Sequence, residues 1–284
     1  MPTPISRFIL ALMLLPFLAG VAGAQALSFP EIDSALPGRT DVTYLDLARM
    51  VIPDLAVGKD GLYQGGSPIE MRDIGGPDSG DAPPETSSLS IVEALPIEAG
   101  GKERLALLFD LGSFADGAQG YAVLALYDVT ARPKLLDAAN VAVDRETYFQ
   151  KPGKLSVGAG DDILITTSSH SNSNQNYVIA SLIMVAKDKF KLIDVIYMLD
   201  EHVCAYSRTQ EVTLKAVADG QRYTAIKATV TDATGPTGDP CDEPPPKVAS
   251  RQISVTYRWN KTQSRYIKDS KAFEKLSADN TKRF

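Results

Sequence analysis

The chain has 284 residues, with 29 Lys+Arg against 35 Asp+Glu, two His, two Cys and one Trp. An apolar fraction of 44% supplies ample material for a core. The formal net charge of −6 leaves no overall basic surplus for non-specific binding of nucleic acid or anionic lipid. Two His and two Cys exclude multi-metal, c-type haem and zinc-finger classes.

Residues 1–26 have the layout of a secretory signal peptide. Arg7 is their only charge, Phe8 to Leu15 form an apolar run, and Ala22-Gly23-Ala24 and Ala24-Gln25-Ala26 are small-x-small cleavage patterns. Pro16 interrupts the run, which argues against a membrane anchor. Cleavage after Ala26 predicts an exported protein, periplasmic or secreted, with no membrane span in the mature chain.

One helix is predicted near the new N-terminus. Thr43 and Asp46 have capping-box spacing, and Tyr44, Leu47, Ala48 and Val51 fall on one helical face. Pro53 stops it, so the helix is expected over 43–52. Residues 75–88, GGPDSGDAPPETSS, read as a loop or linker between this 27–74 segment and an antiparallel β domain over 89–284. The pairs Gly65-Gly66, Gly75-Gly76 and Gly100-Gly101 read as turns.

Apolar segments spaced by turn residues predict the strands. Ser90–Leu95 and Arg104–Leu111 flank Gly100-Gly101; Tyr121–Val129, apolar on both faces, is a central strand; Leu135–Val143 follows. Ile163–Thr167, Tyr177–Val185 and Lys191–Leu199 repeat that layout. Val212–Val217 and Gln221–Val230 flank Asp219-Gly220, a hairpin signal. Ile253, Val255, Tyr257 and Trp259 alternate with polar residues, and the chain returns through Tyr266 and Ile267. A short C-terminal helix over 270–278 places Phe273 and Leu276 on one side. The fold class is therefore mainly β, antiparallel meanders with a short N-terminal helix.

Segment 107–137 can be laid over 163–194, with Tyr121 on Tyr177 and Val129 on Val185. The shared strand–polar loop–strand–turn–strand unit resembles the β-meander blades of FG-GAP and VCBS-like propeller proteins in exported bacterial chains. The resemblance implies a propeller-like or sandwich-like repeat architecture over 90–268. The Asp-x-Asp-x-Asp-Gly calcium loops of those repeats are missing, and Asp161-Asp162 and Asp116-Gly117 do not replace them, so calcium binding does not carry over.

No nucleophile elbow, Ser-x-x-Lys, His-Glu-x-x-His or P-loop is present. The most unusual patch is TTSSHSNSNQNY, 166–177, read as a polar loop between two buried strands. Ser169, His170, Asn172, Asn174, Gln175 and Asn176 are its candidate ligand-binding residues, because uncharged amides and hydroxyls match a hydroxyl-rich glycan or a peptide without an ionic desolvation cost. The second patch is LDEHVC, 199–204, where Asp200, Glu201 and His202 offer acid and base groups. Cys204 and Cys241 are expected to pair as a disulfide in an exported chain; a metal site with His202 is the alternative, without the paired ligand spacing zinc sites use. The expectation is an exported, non-catalytic binding or structural β protein with a glycan or protein ligand, no nucleic acid, no cofactor and no metal. A hydrolase using His170 or His202 is the alternative.

Overall fold

The computed structural model describes residues 26–59, 61–76, 83–89, 92–113, 119–158, 160–238 and 247–282. The signal segment, except its last residue, and Cys241 lie outside them.

Thr43 opens α1 (Tyr44–Ala48) with a complete capping box: its hydroxyl accepts from the Asp46 N–H, and the Asp46 carboxylate accepts from the Thr43 N–H. The helix is shorter than the expected 43–52. After Ala48 three-residue hydrogen bonds, Met50 N–H to Leu47 O and Val51 N–H to Ala48 O, mix with a four-residue bond from the Ile52 N–H to Ala48 O, in turns that bury Val51 and Ile52. Next come β1 (Ala56–Val57), β2 (Tyr63–Gly65), β3 (Arg72–Asp73) and β4 (Ser87–Leu89). β4 falls at the end of the breaker-rich stretch read as a linker. It pairs with β2 in a three-stranded sheet, anchored by the buried Leu89.

β5 (Glu93–Ala99), β6 (Lys102–Asp110), β7 (Ala122–Asp128) and β8 (Lys134–Asn140) form the predicted meander, and β3 joins β8 in parallel to complete a five-stranded sheet. Leu107, Phe109, Val123 and Tyr127 on one face pack on Leu47, Val51, Ile52 and Leu55. Leu95, Leu108, Leu124 and Leu126 on the other face pack on the next sheet through Phe149, Leu164, Ile183 and Phe190. Burial on both sides is why β7 reads as a continuous apolar run.

The third sheet has eight strands in the order β16-β15-β14-β13-β12-β11-β10-β9. They are β9 (Glu146–Ser156), β10 (Asp162–Asn172), β11 (Gln175–Ala186), β12 (Lys189–His202), β13 (Tyr206–Val217), β14 (Ala225–Pro236), β15 (Ala249–Asn260) and β16 (Arg265–Lys268). β9 is absent from the sequence reading because Lys151-Pro152-Gly153 interrupts it. As an edge strand it accommodates a proline, and the ladder with β10 shifts register between Leu164 and Thr166.

β12 and β13 pair at only two positions, Glu201↔Arg208 and His202↔Ser207. The sheet therefore divides into two four-stranded halves, β9–β12 and β13–β16. Their inner faces share one core of Ile165, Leu182, Ile196, Val212, Ile226, Val230, Val255 and Tyr257, a sandwich-like arrangement. α2 (Ala272–Thr281) covers this core with Phe273 and Leu276. Its Asn280 exchanges two hydrogen bonds with Gln210 of β13 (Nε2 to Oδ1 3.0 Å, Nδ2 to Oε1 2.8 Å).

The five-stranded sheet is tied to β9–β12 at the turn ends. Gly100 N–H donates to Asp161 Oδ1 (2.7 Å), Glu98 N–H to Asp162 Oδ2 (2.9 Å), and Gly101 N–H to Gly160 O (2.9 Å). The backbones meet so closely that a Cβ on Gly160, whose φ is +70°, would lie 2.8 Å from Gly101 Cα.

Candidate functional site

The 166–177 segment is not a loop. β10 runs to Asn172, β11 starts at Gln175, and Ser173 with a positive φ (46°) occupies a two-residue turn with Asn174. The polar residues continue the pleat of two strands whose inner ends are buried. Alternation therefore sends the candidate residues to opposite sides of the sheet.

One side continues the core between the two halves. Going outward, Ser169, Val178 and Met198 are in register across β10, β11 and β12, then Ser171, Asn176 and Asp200. Ser171 Oγ donates to Asn176 Oδ1 (3.1 Å). Asp200 Oδ1 accepts from the Gln210 N–H (2.7 Å), and Gln210 Oε1 accepts from the Leu199 N–H (3.0 Å). Side chains thus replace the backbone ladder where β12 and β13 separate.

The other side carries His170. Its Nδ1 lies 2.5 Å from Asp144 Oδ2, and its ring stacks on Tyr177 at 4.3 Å between centroids. The Tyr177 hydroxyl donates to Gln175 Oε1 (3.0 Å), and Gln175 Nε2 donates to Glu201 Oε1 (3.3 Å). Partial burial, then the nearby Asp144 and Glu201 carboxylates, raise the Tyr177 hydroxyl above its usual range. A carboxylate holding one ring nitrogen is the arrangement that orients a general base. No described hydroxyl is hydrogen-bonded to Nε2 of His170.

Two cavities meet at this end of the sandwich. The larger, about 710 Å³, opens between the edges of β9 and β13. Its walls are Val178, Met198 and Val212 inside, Tyr148 and Lys151 on β9, Thr209 and Glu211 on β13, with Phe29 and Glu93 at the mouth. Phe29 and Tyr148 are 50% and 39% exposed, unusual for large rings. The smaller, about 230 Å³, is lined by Ser171, Asn174, Gln175, Asn176, His202 and Arg208, among others. Asp200 and Thr209 line both.

Three of the six candidate residues, Asn174, Gln175 and Asn176, therefore line the polar cavity, while Ser169, His170 and Asn172 do not. The larger cleft was not legible in the sequence. Its residues come from seven separate segments, and β9 carried no strand signal.

The strand edges around the cleft are sealed by carboxylates. Glu93 Oε2 accepts from the Phe149 N–H (2.6 Å), and Asp110 Oδ2 accepts from the Thr147 N–H (3.2 Å). Burial raises Glu93, Asp110 and Asp200 above the usual carboxylate range, against the lowering effect of the N–H groups they accept. Such caps satisfy the edges and discourage a foreign strand from pairing there.

Alternation puts Asp200 and His202 on one face of β12 and Glu201 on the other, and all three line the smaller cavity. Among the described residues, no group of three or more His, Cys, Asp or Glu could hold a metal. The Cys204 carbonyl accepts from Thr237 Oγ1 (2.6 Å), which brings the start of the Cys241 loop to it. Among the described residues no cysteine is free; pairing with Cys241 remains our proposal. No helix of the described residues is long and apolar enough to cross a membrane. No protein-family model, curated protein or solved structure matches the chain.

Proposed function

We propose that this chain is an exported, non-catalytic binding protein whose ligand seat is the cleft between β9 and β13. The observation that carries this is the junction at Asp200 and Thr209 of an apolar-walled cleft of about 710 Å³ with a polar cavity of about 230 Å³. A preformed cleft of that size, with a few polar groups at one end, is the usual form of a ligand site. The ligand is a neutral stretch of glycan or peptide. Its apolar face lies on Val178, Met198 and Val212, between the exposed rings of Phe29 and Tyr148, and its polar groups meet Asn174, Gln175 and Asn176. Sealed strand edges favour side-chain and ring contacts over strand addition. The export assignment rests on residues 1–26.

The Asp144–His170 contact favours a second reading, a hydrolase with His170 as general base. A thermal-shift panel of neutral glycans and peptides separates the two. On the binding reading, a ligand raises Tm in the wild type, and Tyr148→Ala with Asn176→Ala abolishes that shift while the unliganded Tm stays within a few degrees. A shift indifferent to both substitutions would refute the seat. Turnover that disappears in His170→Ala would establish the hydrolase.

A further inference from the structure

The outer face of β13–β16, opposite the core, is an ordered polar surface that meets the cleft only at the Thr209 and Glu211 end of β13. Alternation places Thr213, Thr229 and Ser254 in one cross-strand row and Lys215, Lys227 and Thr256 in the next. Beyond these rows, on the same face, lie Arg258 and Arg265, with Lys261 in the turn between β15 and β16. Thr229 Oγ1 and Ser254 Oγ are 2.8 Å apart.

Lys215 and Lys227 are directly opposed, both exposed. Like charges in that position repel. Neither makes an ion pair among the described residues. The carboxylates that reach this face are few: Glu211 at one end, Asp219 at 3.6 Å from Arg258, and Asp269, whose Oδ1 accepts from the Thr256 N–H. The chain as a whole is acidic, yet residues 247–284 hold ten Lys/Arg against three Asp/Glu. Of these cations Arg258, Lys261 and Arg265 lie on or beside this face, while Arg251 and Lys268 pair with Asp232, Asp194 and Glu274 on the inner side.

We propose that this face binds an extended polyanionic polysaccharide. Lys215, Lys227, Arg258 and Arg265 would hold its carboxylates, and the Thr213–Thr229–Ser254 row its hydroxyls. The cations are spread across four strands on an open surface, which suits a chain and not a small enclosed anion. The aromatic rings of Trp259 and Tyr266 pack with Tyr223 on the other side of the sheet, so they are not on this face to stack a base; its apolar side chains Val217, 41% exposed, and the half-buried Ile267 stand among the cations and give no broad apolar stripe to enter a bilayer.

The test uses the full mature chain, with polygalacturonate as the probe and neutral dextran, single-stranded DNA and phosphatidylglycerol vesicles as comparators. Polygalacturonate binding is expected at low salt, weakening as salt is added, with none to dextran. Lys215→Gln/Lys227→Gln is expected to lower affinity about tenfold without lowering Tm, since it removes two exposed contacts and relieves a repulsion. Absence of polygalacturonate binding, equal affinity in the double variant, or tighter binding to DNA or vesicles would each overturn the proposal. Retained cleft binding in the double variant keeps this face separate from the seat proposed above.

Discussion

Asp232 on β14 is the most consequential charge inside the sandwich, and replacing it should show how. Its carboxylate receives a two-pronged contact from Arg208 of β13, Nε to Oδ1 at 2.6 Å and Nη2 to Oδ2 at 2.7 Å, and a third bond from Arg251 Nε of β15 at 2.8 Å. The Arg208 and Asp232 side chains are 7% and 5% exposed, that of Arg251 56%. Asp232→Ala leaves the guanidinium of Arg208 buried, with only Glu201 opposite it on β12. Breaking such a pair costs about 3 kcal/mol, a fall in Tm of roughly 6–12 °C for a chain of this size. Arg251→Ala removes a solvent-screened partner and should cost under about 1 kcal/mol. Burial pushes the Asp232 carboxyl upward, but the hydrogen bonds from Arg208 and Arg251 outweigh it and hold it below the usual range. Its stabilising contribution is therefore present above the ordinary carboxylate pKa, about 4, and is lost as pH falls through the lower folded value. Urea melts of the single and double variants over pH 3–7 measure all of this. An Asp232→Ala cost no larger than that of Arg251→Ala would refute the reasoning.

Three further outcomes are expected. Tyr127→Phe removes a buried hydroxyl that donates to Leu47 O at 2.9 Å, a carbonyl that keeps its bond from the Met50 N–H; the cost should be about 0.5–1.5 kcal/mol in denaturant melts. Asn280→Ala breaks the reciprocal pair with Gln210, leaves the buried Gln210 amide N–H without Asn280, and should cost about 1–3 kcal/mol, with hydrogen exchange accelerating in α2 before other elements. Glu93, whose folded pKa is raised, makes the folded state hold a proton that the unfolded chain has released, so its effect lowers stability as pH rises from the usual carboxylate range to its own pKa. Glu93→Gln should gain Tm relative to wild type near neutrality and not near pH 4; an equal difference at both would refute the burial argument.

Residues 174–176 and His170 are neighbours at one end of the β10–β11 hairpin, and the contrast between them shows how far the candidate cavity was legible in the sequence. Asn174, Gln175 and Asn176 stood out by composition, and they do line a cavity. His170 stood out equally, yet its ring faces Asp144 and Tyr177 on the far side of the sheet. One residue of displacement along a strand reverses the face, and a segment read as a loop carries no face at all. The basic surface was hidden for a different reason: net charge averages over the whole chain, and only strand pairing brings Lys215 and Lys227 beside Arg258 and Arg265 on one face.

What the sequence determined by itself were local properties. Gly100-Gly101 made a turn, Thr43 and Asp46 made a capping box, the β7 run made a strand buried on both faces, and the alternation through Ile253 to Trp259 made one with a single apolar face. Each of these depends on backbone preference and on the spacing of apolar residues within a few positions. Only the tertiary structure decided that β12 and β13 part after two pairs, that the halves close over one core, and that Tyr148, Met198 and Thr209 wall one cleft. Those relations join residues far apart in the chain, and they are set by how the sheets twist and pack on one another, which no short window of residues encodes.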